Sequence, residues 1–235
     1  MKSIFLSLLA VSVCFISCKN ETKSDEPVEA ATEVVEETPT EVVEEPAIDY
    51  TALGMAADDI PEGLAVGSNL AALTYTNADG KTIDFAQLYA DKPLVVIFYR
   101  GYWCPVCNKY LSNFAAESDK ITDAGANIVA IAPETYDNVD KTAANTGIDF
   151  TVISDADGSL MRAFDVDFNV TEDYDQMINE KLNASIADTN GADAAELPVP
   201  ATYIIDTDGT IMYKHFNPDY TQRASIDDIV SALNQ

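Results

Sequence analysis

The chain has 235 residues, 40 of them acidic against 13 lysines and arginines, for a formal net charge of −27. Such an excess of acid excludes nucleic-acid binding and adhesion to anionic lipid surfaces, both of which rest on clustered Lys and Arg. Four cysteines and a single histidine, His215, leave little with which to hold zinc, which takes four ligands.

The chain opens with Met1-Lys2-Ser3 and an apolar run from Ile4 to Ile16, too short to span a bilayer as a helix. That is the pattern of a secretory signal. It ends in Phe15-Ile16-Ser17-Cys18, a small residue directly before a cysteine, which resembles a bacterial lipobox with Phe15 where leucine is commoner. The resemblance implies cleavage before Cys18, lipidation of its thiol, and an envelope protein held by that lipid, facing the periplasm or carried on the outer membrane. An ordinary cleaved signal with Cys14 and Cys18 as incidental residues is the alternative, and it also places the folded part outside the cytoplasm.

Residues 19–49 are rich in Glu, Val, Thr and Pro, and Glu-Val-Val-Glu-Glu occurs twice, at Glu33 to Glu37 and Glu41 to Glu45. Acidic, poor in aromatics and broken by Pro27, Pro39 and Pro46, this stretch buries too little apolar surface to offset its ordering entropy. It is expected to be a solvated tether. The tether holds 11 of the 40 acids, so from Tyr50 onward 29 acids face 10 bases and the remaining charge is near −19, which serves solubility.

Residues 50–235 suit one domain with a sizeable core. Asn77-Ala78-Asp79-Gly80 predicts a turn between Leu73-Thr74-Tyr75 and Thr82-Ile83, hence a hairpin. Leu94 to Tyr99 is a continuous apolar run, as expected of a strand buried on both faces. A helical pattern then runs through Tyr110, Leu111, Phe114 and Ile121. It is followed by a second buried strand, Asn127 to Ala132, a helix closing near Gly147, and a third strand, Phe150 to Ser154. Strand and helix in alternation argue for an α/β fold with a largely parallel sheet covered on both sides. The stretch between Val170 and Leu197 has weak helical periodicity around Tyr174, Met177, Ile178 and Leu182 and reads as an insertion. Ala201 to Asp206 and Thr210 to His215 flank an Asp208-Gly209 turn and form an antiparallel hairpin, and Ser225 caps a final helix through Ile229, Val230 and Leu233.

The chemistry is concentrated at Cys104 and Cys107, which are the remaining free thiols once Cys14 is removed and Cys18 acylated. They sit where a buried strand turns into a helix. A thiol at a helix N-terminus faces unpaired backbone N–H groups and the positive end of the macrodipole, which favour the thiolate. Cys104 is expected at the exposed start of the helix and Cys107 one turn inside. Arg100 adds to thiolate stabilisation if its side chain folds back, or else pairs with one of the many acids. Pro105 starts the helix, where its missing N–H costs nothing. Tyr102 and Trp103 either shape a surface for partner proteins or pack the loop. A purely structural disulfide is the competing reading, although a bridge closing so short a loop constrains the unfolded chain little.

Three segments carry a resemblance: Phe98-Tyr99-Arg100-Gly101-Tyr102-Trp103-Cys104-Pro105-Val106-Cys107, Ile153-Ser154-Asp155-Ala156-Asp157-Gly158-Ser159-Leu160, and Leu197-Pro198-Val199-Pro200-Ala201-Thr202-Tyr203-Ile204-Ile205-Asp206. Together, in this order, they resemble the peroxiredoxin-like branch of the AhpC/TSA family, over about Leu64 to the C-terminus. The resemblance implies a thioredoxin-like fold with a mixed central sheet, a redox-active Cys104/Cys107 pair, and Pro200 beside the cysteines. It implies no metal or organic cofactor. It also implies a hydroperoxide or protein-disulfide substrate, with recycling by a thioredoxin-like electron donor.

The sequence departs from the family in two places. Typical peroxiredoxins carry Thr-x-x-Cys, and counted from Phe98 the attacking cysteine corresponds to Cys107 while Cys104 occupies the threonine position. The family's helper arginine before the late strands has no counterpart in Leu197 to Pro200. Read instead as the Trp-Cys-x-x-Cys of thiol–disulfide oxidoreductases, Trp103 to Cys107 makes Cys104 the nucleophile. The sequence leaves that order open, along with a binding module of the same fold in which the disulfide stays shut.

Overall fold

A computed structural model describes residues 48–235. The signal, the lipobox with Cys18, and the tether up to residue 47 lie outside the described residues.

The expected first hairpin is present as β1 (Thr74–Thr76) and β2 (Thr82–Asp84), paired antiparallel with Tyr75 opposite Ile83. The apolar run forms β3 (Leu94–Phe98), all five residues of which are buried. At about 2 kcal/mol for each large apolar side chain removed from water, this strand anchors the core. It leads into α1 (Pro105–Ala115), then α2 (Asp119–Asp123), β4 (Asn127–Ala132), α3 (Tyr136–Thr146) and β5 (Thr151–Ser154). Gly147 ends α3 in the left-handed conformation, at φ 74°. The single helical pattern expected through Ile121 is therefore two helices. Ser118 turns its hydroxyl onto the Ala115 carbonyl at 3.0 Å and Glu117 N closes on the Phe114 carbonyl, which tightens and ends α1 before α2 begins.

Between the third strand and the late hairpin the chain forms α4 (Ser159–Ala163), β6 (Asp167–Asn169), α5 (Glu172–Leu182), α6 (Ile186–Asn190) and β7 (Glu196–Pro198). The stretch read as an insertion is thus ordered helix. Tyr174, Ile178 and Ile186 are buried in the same core cluster as both cysteines. Ser185 caps α6 by accepting from Asp188 N at 3.2 Å.

The late hairpin is β8 (Ala201–Ile205) and β9 (Ile211–Phe216), with Gly209 at φ 86° in the turn, and α7 (Ile226–Leu233) ends the chain under its Ser225 cap. The central sheet runs β5-β4-β3-β8-β9, parallel from β5 to β3 and antiparallel from β3 to β9. Alternation along β3 divides the core. Val95 and Ile97 pack on the face that holds Cys104, Cys107 and Leu111, whereas Leu94, Val96 and Phe98 pack on the face that holds Leu160, Phe164 and Tyr203.

Candidate functional site

The site forms where β3 ends and α1 begins. Tyr99 still pairs with β4 through its N–H to the Ile131 carbonyl at 3.0 Å, and the chain then turns sharply at Gly101. A Cβ at Gly101 would lie 2.5 Å from Trp103 Nε1 and 2.7 Å from Glu134 Oε1, so this close approach admits glycine alone. Cys104 is the N-cap of α1 with Pro105 at the first helical position, and Cys104 Sγ accepts from the Cys107 backbone N–H at 3.2 Å. The two sulfurs are joined in a disulfide across a Cα–Cα distance of 5.3 Å. Both cysteines have no solvent exposure, which corrects the expectation that Cys104 sits at an exposed helix start. Pro105, the next residue, is exposed, while Cys104 lies in the core cluster with Tyr99, Trp103, Leu111 and Tyr174.

Each sulfur has its own arginine. Arg100 folds back as anticipated and donates from Nη2 to Cys104 Sγ at 3.3 Å, while its Nη1 donates to the Tyr174 hydroxyl at 2.6 Å. Its guanidinium carbon lies 3.5 Å from the centroid of the Tyr220 ring. Arg223, in the loop before α7, directs Nη2 at Cys107 Sγ at 3.6 Å and donates from Nη1 to the Phe98 carbonyl at 3.3 Å and from Nε to the Tyr220 carbonyl at 3.0 Å. Burial, helped by the nearby charge of Arg100, pulls Arg223 down to about 10, which still leaves it cationic at neutral pH. Arg223 also lines a groove of about 670 Å³ between α1 and residues 221–227.

Behind the loop lies Glu134, which is wholly buried. Its Oε1 accepts from Tyr102 N at 2.8 Å, and burial outweighs that bond and the charge of Lys141 to push the carboxyl up to about 8. Asn108 Nδ2 donates to the Tyr102 carbonyl at 2.6 Å, tying the loop to α1. Glu134 Oε2 and Trp103 Nε1 are buried without a hydrogen-bond partner.

The structure therefore brings Arg100, Trp103, Cys104, Pro105 and Cys107 together. Trp103 is buried and packs the loop instead of presenting a surface. Pro200 is buried just before β8; since Ile97 pairs with Thr202, this places Pro200 beside the end of β3 where the cysteine loop starts. His215 lies on β9 with its Nε2 3.3 Å from the Gln222 carbonyl, and no group of metal-ligating side chains occurs among the described residues. Sequence reasoning missed Tyr174, Tyr220, Glu134 and Arg223. A signal for Arg223 existed: the chain has only three arginines, and one of the other two was already at the site. Positive charge near Cys107 is thus contributed by Arg223, after β9, and not by a residue before β8.

The AhpC/TSA family model matches residues 66–214. A Mycobacterium tuberculosis (H37Rv) protein bearing a peroxiredoxin name is 23% identical over 154 residues, covering 66% of this chain and 86% of that one. Among solved structures, peroxidoxin BcpB of M. tuberculosis superposes with a TM-score of 0.54 at 20% identity, over 72% of this chain and 96% of that one. Reduced Prx3 of Vibrio vulnificus in complex with hydrogen peroxide superposes with a TM-score of 0.55 at 16% identity, over 72% and 99% of the two chains. The fold is that of the thioredoxin-like peroxiredoxins, and the chain belongs to the AhpC/TSA family of peroxiredoxin-like thiol oxidoreductases.

Proposed function

We propose that the protein reduces hydroperoxides at Cys107 and resolves the product with Cys104. The observation that carries this reading is the contact of Arg223 with Cys107 Sγ, which supplies positive charge where the family's helper arginine is missing from the sequence. The Cys107 thiolate attacks the terminal peroxide oxygen, an S–O bond forms as the O–O bond breaks, and the departing alkoxide takes a proton to leave as the alcohol. Arg223 stabilises the charge developing on that oxygen. The Cys104 thiolate then attacks the Cys107 sulfenic acid, forming the disulfide and expelling hydroxide, which leaves as water. A thioredoxin-like dithiol donor returns two electrons and is itself oxidised to a disulfide. Stopped-flow mixing with hydrogen peroxide tests the order: Cys104→Ser should accumulate a sulfenic acid on Cys107 and Cys107→Ser should not react, whereas the reverse pattern overturns it.

A second reading rests on Cys104, whose sulfur has more hydrogen-bond donors: it accepts both from Arg100 and from the helix N-terminus. As a thiol–disulfide oxidoreductase the protein would attack through Cys104, and Cys107→Ser would trap mixed disulfides with protein substrates. Inertness towards both peroxides and disulfides would leave a binding module. For location, Cys18 is our proposed lipid attachment point and residues 19–49 the tether to the envelope membrane, a reading supported by the sequence pattern. Cys18→Ser should release the protein from the membrane fraction.

A further inference from the structure

Arg100 and Arg223 differ from the third arginine. Arg162 pairs with Glu196 at 3.4 Å on the surface, whereas neither site arginine forms an ion pair among the described residues, in a domain rich in acids. Arg100 retains 3% exposure and its Nε has no partner at all. Arg100 is withdrawn from water and Arg223, at the wall of the groove, is half-buried; a guanidinium so placed is costly in proportion to its burial unless an anion meets it. What meets these two is neutral: the hydroxyl of Tyr174, the rings of Tyr220 and Tyr110, two backbone carbonyls, and two disulfide sulfurs, which are weak acceptors. Opening the disulfide converts each sulfur into a group able to carry negative charge where a guanidinium already stands.

We propose that the reduced site is a dithiolate, Cys104 paired with Arg100 and Cys107 with Arg223, so that its redox couple moves two electrons and no protons near neutral pH, and that the disulfide is a strong oxidant. Two thiols this close would ordinarily ionise one at a time, because the first charge opposes the second. One arginine would offset one charge; the site has two, on separate sulfurs. Pairing both cations only in the reduced state stabilises that state and raises the potential of the couple. In reduction by a dithiol donor the S–S bond takes two electrons, the donor becomes a disulfide, and the donor's protons go to solvent.

Other ionisable groups face the site. Tyr174 and Tyr110 are pushed up by burial and stay neutral, Tyr220 covers Arg100, and Lys141 neighbours Glu134 behind the loop. Of these groups Glu134 changes charge in the relevant range, so Glu134→Gln removes it from the profile; Asp155, which also titrates there, lies under the start of α4 on the other face of the sheet.

The reduction potential follows from Trp103 fluorescence of the soluble chain equilibrated with glutathione buffers from about pH 6 to 8, in wild type and in Glu134→Gln. The potential is referred to that of the glutathione couple at each pH, which itself falls by about 60 mV per unit as its two thiols release their protons. Each proton the protein takes up with the two electrons then changes the constant of its own half-reaction tenfold per pH unit, about 30 mV. A flat profile in both proteins is expected. A tenfold dependence per unit means one protonated thiol, a hundredfold means two, and either overturns the dithiolate. Arg100→Gln and Arg223→Gln should each introduce one proton, and the Lys variants should restore the flat profile. Should these variants not fold, the thiolate ultraviolet absorbance of reduced wild type decides, since two thiolates absorb about twice what one does. The inference rests on the redox couple of the proposed function but not on its oxidant: no peroxide enters the measurement, so either can fail alone.

Discussion

Tyr174 on α5 holds Arg100, 74 positions earlier in the chain, through a 2.6 Å hydrogen bond from Nη1 to its hydroxyl. The arginine that meets Cys104 is thereby oriented by a helix that makes no contribution to the central sheet. Tyr174→Phe removes the acceptor and leaves a charged donor unsatisfied, a loss of roughly 1.5–3 kcal/mol. The melting temperature should fall and the Cys104 thiol pKa should rise. In stopped-flow fluorescence the disulfide-forming phase should slow at neutral pH while the first reaction with peroxide is spared.

Arg223→Gln should have the opposite signature. With the cation gone from Cys107, the peroxide-dependent phase should slow by roughly 10²-fold, the usual scale for losing a preorganised donor. Arg223→Lys should recover only part of this, because a single ammonium cannot reach the Phe98 and Tyr220 carbonyls and the sulfur together. Rates at several peroxide concentrations would show the effect in the second-order step.

Much of the site was legible because it is local. Arg100 to Cys107 form one continuous turn whose shape follows from a buried strand meeting a helix N-terminus with Pro105 in its first turn. The unbroken apolar run from Leu94 to Phe98 likewise announced a strand covered on both faces. What stayed hidden depends on chain returning from afar. Arg223 reaches Cys107 across 116 positions and Glu134 reaches Tyr102 across 32, and no periodicity relates such pairs. The 170–197 stretch was obscured by its acids: three of them crowd the first turn of α5, where the macrodipole welcomes them, and they dilute the apolar pattern of Tyr174 and Ile178. The surroundings of Cys104 were equally nonlocal, since Arg100, which meets its sulfur, is held in place by Tyr174 of α5.

Glu134 gives the fold a pH dependence. Its carboxyl binds a proton more tightly folded than unfolded, so its contribution is complete below the ordinary value of 4.5 and is lost as pH rises through about 8. Asp155, buried under the start of α4 and pushed up to about 7 by that burial, acts in the same direction over a lower range. Urea denaturation of Glu134→Gln should therefore show a flatter profile than wild type from about pH 5 to 8, and between pH 7 and 8, where Asp155 has already titrated, Glu134 supplies the slope that wild type retains. Equal slopes in the two proteins would assign the dependence elsewhere.

Gly101→Ala tests the close approach of the loop. The added methyl meets the indole of Trp103 and the Glu134 carboxyl, neither of which has room to retreat, and should cost about 1–3 kcal/mol. Trp103 emission should shift in the folded state, and the reaction of both thiols should slow together because the whole turn is displaced.

Both sulfurs are shut away from solvent, which makes access a filter on what the protein can react with. A peroxide is small enough to enter through a brief fluctuation of one helical turn. A protein disulfide must bring its own bulky backbone into line with the attacked sulfur, which demands that the 100–103 loop and the start of α1 open together. Chemistry with small oxidants can then proceed from the closed fold, while exchange with a protein donor waits for an opening whose frequency sets its rate. Reactivity towards proteins should accordingly track urea sensitivity and local hydrogen exchange at the start of α1, and reactivity towards peroxide should not.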